Sequence, residues 1–214
     1  MPEETKEALS NKARSQAGEL PSSTTRTRFD VRTITYVAVS VALAAALNFV
    51  PLFKMPQGGS VALDMVPIIF LAFYRGVRPG VLAGVIYGFV DYIFSPFFVH
   101  PAQLLLDYPL AFGLLGLAGL AGNRGPLLVS LGTVFAGLLR FGAHYFSGVI
   151  FFASYAPEGQ SPWLYSAIYN GSYMSVSILL SVPIVYTLLK VMNAEGAQTS
   201  NQGSYGTRRG HDRP

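Results

Sequence analysis

Six apolar segments follow one another through the middle of the chain, near 34–53, 61–75, 79–96, 103–122, 126–152 and 164–192. A bilayer core is about 30 Å thick and takes roughly 20 apolar residues in helical form to cross. This spacing predicts an all-α integral membrane protein with six transmembrane helices. The composition agrees, with 51% of residues hydrophobic and only 12% charged, against about 25% charged in a soluble domain. The second segment is short, suited to little tilt or to a partly re-entrant path. The last is long enough to extend past the membrane on one side.

The flanks are different in kind. Residues 1–33 are polar and mixed in charge, with no apolar core of signal-peptide type. Residues 193–214 are rich in Gly, Ser, Asn, Gln and Arg. Both are expected to be disordered tails, leaving 34–192 as the membrane domain. The absence of cysteine removes disulfides, thiolate metal sites and cysteine nucleophiles. No metal site and no cofactor are expected. The net charge of +4 is not gathered into one basic patch, so no nucleic-acid partner is expected.

Basic residues set the expected topology. Arg26, Arg28 and Arg32 precede the first segment, Arg75 and Arg78 fill the second loop, Arg124 the fourth, and Lys190, Arg208 and Arg209 follow the sixth. Loops three and five contain no Lys or Arg, and loop one has only Lys54. Both termini should therefore be cytoplasmic, with the SYAPEGQSPW loop outside. Lipid should surround the helices of what reads as a multi-pass protein of a prokaryotic plasma membrane.

One stretch concentrates polar and aromatic chemistry, Arg140 to Tyr173. His144, Gly148 and Phe152 recur every fourth residue and form one stripe on a helix. The loop that follows supplies Tyr155, Glu158 and Trp163, and the next segment Tyr165, Tyr169, Asn170 and Tyr173. Together they read as the wall of a small-molecule pocket at the outer mouth of a bundle. Tyr165 and Asn170 point about 140° apart on a regular helix. They share a pocket only if Tyr165 lies in the first turn or before it.

Charges inside apolar segments cost about 2.5–3.5 kcal/mol each on insertion scales, so those present should be paired or functional. Asp64, Asp91, Asp107 and His144 fall in the expected outer half, and Arg140 sits mid-helix one turn further in than His144. Asp91 and Arg140 read as an intramembrane ion pair. Asp107, beside Tyr108, reads either as an acid for a cationic ligand or as a helix N-terminal charge on free backbone donors. The tyrosines could equally form an interfacial belt. Two strips of small residues, Ala38/Ala42/Ala46 and Gly80/Gly84/Gly88, suit close helix packing, inside the bundle or against another subunit.

Four stretches, KMPQGGSVALDMVPI (54–68), LDYPLAFGLLGLAG (106–119), HYFSGVIFF (144–152) and SYAPEGQSPWLYSAIYNGSY (154–173), together resemble the thiamine-specific substrate-binding subunit of energy-coupling factor (ECF) transporters, the ThiT family. The resemblance covers roughly 34–192. It implies a six-helix S component that binds thiamine near the outer face and works with a transmembrane coupling subunit and two ATPases. It places ligand contacts on Asp107, Tyr108, His144, Gly148, Tyr165 and Asn170, with Phe152 stacking on the ligand; Trp163, read from the loop, is expected to join them as a substrate-binding residue. Where the family commonly has tryptophan and glutamate, this chain has Phe152 and Asp107. The resemblance also makes Ala38, Ala42 and Ala46 a docking strip for the coupling subunit.

The chain contains no G-x-x-x-x-G-K-[ST] sequence, so ATP hydrolysis is expected from partners and not from this polypeptide. Two other readings remain open at the level of sequence. One is a self-sufficient secondary transporter or facilitator for a small cationic heteroaromatic compound, with Asp91 and Arg140 as a proton relay. The other is an intramembrane enzyme with His144 and Asp107 as an acid–base pair.

Overall fold

The structure is a computed structural model that describes residues 30–56, 58–123 and 125–208, with side chains through Ala194. Most of the expected N-terminal tail, with Arg26 and Arg28, lies outside the described residues, as do Arg124 and Arg209. From Val31 onward the chain forms six helices. They are α1 (Val31–Asn48), α2 (Met65–Arg75), α3 (Val77–Phe94), α4 (Pro101–Ala121), α5 (Pro126–Phe151) and α6 (Pro162–Arg208). All but α2 are long and apolar enough to cross a membrane. The expected class, an all-α membrane protein of six helices, is the one observed.

The short α2 explains itself by its burial. Met65, Val66, Ile68, Ile69, Leu71, Ala72 and Phe73 are all buried, so apolar side chains surround the helix. Such a helix belongs at the centre of a bundle rather than against lipid. It packs against α1, α3, α4 and α6, with Phe112, Leu115 and Leu189 filling the core around it.

Two boundaries differ from expectation. The first helix stops at Asn48 rather than near 53, because Pro51 disfavours helical backbone at the residue before it. The chain then makes a small antiparallel hairpin, β1 (Phe53–Lys54) and β2 (Ser60–Val61), with Phe53 opposite Val61 and Lys54 opposite Ser60. Gly58 takes a φ of 92° in its turn, a conformation that favours glycine. At the other end, α6 runs to Arg208, through most of the stretch expected as a disordered tail; residues 209–214 lie outside the described residues.

The two small-residue strips have different fates. Gly80, Gly84 and Gly88 are buried, and α3 uses them to reach the α4 backbone: a Cβ added at Gly88 would lie 2.7 Å from Pro109 Cα. This strip is internal packing. Helix α1 instead buries Val37, Ser40 and Ala44, and leaves Ala38, Ala42 and Ala46 exposed. The alanine strip therefore faces away from the bundle.

Candidate functional site

A cavity of about 350 Å³ opens among the ends of the helices on the hairpin side, within the usual range of about 300–1,000 Å³ for small-molecule sites. Helices α1, α3, α4, α5 and α6 contribute to its wall, and α2 only through the residue before it, Asp64. Of the residues singled out from sequence, Asp107, Tyr108, His144, Phe152, Tyr165 and Asn170 line it together.

Asp107 owes its position to a local defect in α4. Residues Leu106–Leu110 form a π turn with Pro109 inside it. Proline supplies no N–H and crowds the preceding turn, so the helix widens there. The Asp107 carboxylate then meets three side chains. Gln103 Nε2 and Ser147 Oγ each donate to Oδ2 at 2.8 Å, and His144 Nδ1 lies 3.1 Å from Oδ1. The helix-terminus reading of Asp107 does not hold, since His100 caps α4 by accepting from Ala102 N–H at 3.1 Å. Tyr108 lines the cavity with its ring, while its hydroxyl is engaged elsewhere. It donates to Ser95 O at 3.0 Å and accepts from Phe97 N–H at 3.1 Å, pinning the loop before α4.

Tyr165 and Asn170 reach one cavity because α6 begins at Pro162, which puts Tyr165 in the first turn. Ser161 Oγ accepts from Leu164 N–H at 3.3 Å and caps that turn. Asn170 is 6% exposed and is held by its neighbours on α6. Its Nδ2 donates to Ser166 O and Ser166 Oγ at 3.1 Å, and its Oδ1 accepts from Tyr173 Oη at 2.9 Å. Phe152 ends α5 and stands 5.6 Å from the Phe97 ring and 6.0 Å from that of Tyr155, giving the cavity an aromatic corner.

Two expected contacts fall elsewhere. Gly148 does not leave room for a ligand ring. A Cβ there would strike the Ser166 side chain and come within 3.2 Å of Asn170 Nδ2, so this glycine lets α5 and α6 close on each other. Trp163 is 54% exposed and packs 6.0 Å from Tyr145, outside the cavity wall.

The intramembrane ion pair also has a different partner. Arg140 pairs with Asp64 at 3.5 Å, and Tyr87 Oη donates to Asp64 Oδ2 at 3.2 Å. The guanidinium lies over the Phe112 ring, 4.0 Å from its centroid. Asp91, expected as its partner, instead accepts from Asn48 Nδ2 at 2.7 Å. The physical reason is the central place of α2, whose N-terminal flank carries Asp64 to the bundle interior. Asn48, Asp64, Asp91, Phe112 and Arg140 line the cavity, while Tyr87 supports Asp64 from behind the wall.

Several wall residues were not singled out from sequence. The hairpin contributes Lys54, Met55, Gly58, Gly59 and Ser60. Gly59 N–H donates to Tyr169 Oη at 3.2 Å, and a Cβ on Gly59 would lie 2.6 Å from Tyr173 Cε1. The adjacent glycines and the lone lysine of the outer loops were the available signal. Gln103, 1% exposed, holds Asp107 and also bonds Phe97 O and Val99 N–H at 3.1 Å.

Comparison with known proteins identifies the family. The model of the thiamine transporter protein family matches residues 34–195. The chain is 40% identical over 168 residues to the thiamine transporter ThiT of Bacillus subtilis, covering 72% of this chain and 87% of that protein. It is 34% identical over 170 residues to the ThiT of Lacticaseibacillus paracasei, covering 72% and 85%. A solved structure of ThiT from Listeria monocytogenes superposes with a TM-score of 0.68 at 25% identity, over 75% of this chain and 94% of that one. The S component of a bacterial ECF transporter shares the fold, with a TM-score of 0.50 at 15% identity, over 78% and 96%.

Proposed function

The chain belongs to the thiamine transporter protein family, and from that premise we propose that it is the S component of an ECF-type importer, capturing thiamine at the outer face of the cell membrane. The observation that carries this reading is the convergence of Asp107, His144, Tyr165, Asn170 and Phe152 on one cavity. Thiamine brings a permanently cationic thiazolium, an aminopyrimidine and a hydroxyethyl tail. Carboxylates and aromatic faces suit the cation, and the imidazole, phenol and amide suit the pyrimidine's donors and acceptors. The charge balance of the wall also fits. Among the described residues the wall carries three carboxylates, Asp64, Asp91 and Asp107, and two permanent cations, Arg140 and Lys54, an excess of acid that suits a cationic ligand.

The power for uptake comes from partners, a transmembrane coupling subunit and two ATPases. The exposed Ala38, Ala42 and Ala46 strip supports a docking role for α1, since the bundle does not use that face itself. The basic residues at the opposite end from the cavity loops support cytoplasmic termini. A secondary transporter relying on an Asp91–Arg140 relay finds no such ion pair among the described residues. Calorimetry of the purified protein against thiamine, its separate pyrimidine and thiazole halves, and riboflavin tests the assignment. Tight binding of thiamine alone is expected; equal binding of riboflavin, or no heat with thiamine, overturns it.

A further inference from the structure

The cavity holds three carboxylates, and their bonding is unequal. A carboxylate offers about four lone-pair sites. Asp107 has three side-chain partners already, Gln103, Ser147 and His144. Asp64 has the Arg140 guanidinium and the Tyr87 hydroxyl. Asp91 accepts one side-chain hydrogen bond among the described residues, from the neutral amide of Asn48, and no cation forms an ion pair with it. It is half-buried and lines the cavity, one helical turn before Ser95, in the wall that continues to Phe97 and, across it, Phe152.

From this accounting, and resting on the reading of the cavity as the thiamine site, we propose that Asp91 is the residue that reads the ligand's positive charge, while Asp107 reads the shape and donors of its neutral ring. A carboxylate committed to three donors is a fixed acceptor with little capacity left for a further partner. A half-buried carboxylate with one neutral hydrogen-bond partner gains most from a cation brought beside it. Asn48 Nδ2 fixes one oxygen of Asp91 and leaves the other for the ligand. The aromatic corner at Phe97 and Phe152 then adds ring faces to the same charge. Discrimination for cationic over neutral ligands therefore belongs to α3 and α1, apart from the α4–α5 contacts that hold Asp107.

The test separates charge from shape. Asp91→Asn keeps the side-chain volume and an oxygen for Asn48, and removes only the charge. Wild type, Asp91→Asn, Asp91→Glu and Asp107→Asn are titrated calorimetrically with thiamine and with an analogue in which an uncharged thiophene replaces the thiazolium. Wild type is expected to prefer thiamine. Asp91→Asn should weaken thiamine binding by about tenfold or more and leave the neutral analogue within about twofold, and that retained binding serves as the check on folding. Asp91→Glu should restore the preference for the cation, and Asp107→Asn should weaken both ligands alike. An equal loss of both ligands in Asp91→Asn, or no loss of either, overturns the assignment to Asp91 while the thiamine site stands. If wild type binds neither ligand, the thiamine reading itself falls.

Discussion

At the scale of residues, Asp107 is the best-connected acid in the cavity, and its neighbours predict how a substitution behaves. In Asp107→Asn one oxygen becomes an N–H₂ group, and the donors of Gln103, Ser147 and His144 must share the oxygen that remains. At least one buried donor loses its acceptor, which costs about 1–3 kcal/mol. We expect a lower melting temperature in detergent and about tenfold or greater loss of thiamine affinity by calorimetry; unchanged values for both would remove Asp107 from the site. Trp163→Ala, by contrast, should leave affinity within about twofold, because the side chain stands outside the cavity wall. The chemistry-bearing residues were legible because charge, imidazole and amide are conspicuous in an apolar segment. Gly148 was misread because a glycine at helical spacing signals close approach without saying what approaches. Gln103 and Asn48 gave no signal, since an uncharged amide near a helix end has many ordinary reasons to be there.

At the scale of elements, the hairpin and the α5–α6 seam each depend on a glycine at close contact. A Cβ at Gly59 would press on the Tyr173 ring, so Gly59→Ala should lift the hairpin off α6. The expected outcome is faster thiamine release in stopped-flow displacement, with a smaller change in the association rate. Gly148→Ala should force α5 and α6 apart at Ser166, at a cost of about 1–3 kcal/mol, read as a fall in melting temperature with or without ligand. The number of helices was legible because a bilayer imposes its thickness on sequence. The hairpin was hidden because its strands are only two residues each and fall at the edges of two apolar segments. The π turn at Leu106–Leu110 is a response to Pro109 that the sequence marks without giving its geometry.

For the whole molecule, the question is how a binding subunit with no ATPase motif is driven. Ala38→Leu and Ala42→Leu add bulk to a face the bundle does not use, so calorimetry should return wild-type thiamine affinity. Thiamine uptake by cells that carry the coupling subunit and ATPases should fall sharply, and co-purification with the coupling subunit should be lost. Intact uptake in both variants would move the docking surface elsewhere. Sequence offered both internal packing and external docking for such strips, and burial separates them, with α3 turned inward and α1 outward. A practical consequence follows from the chain's single indole. Trp163 is half-exposed at the rim, beside Tyr145 and off the cavity wall. Its emission colour gauges how deep that rim floats between water and headgroups, and a spectral shift during titration would register the rim moving rather than the vitamin arriving.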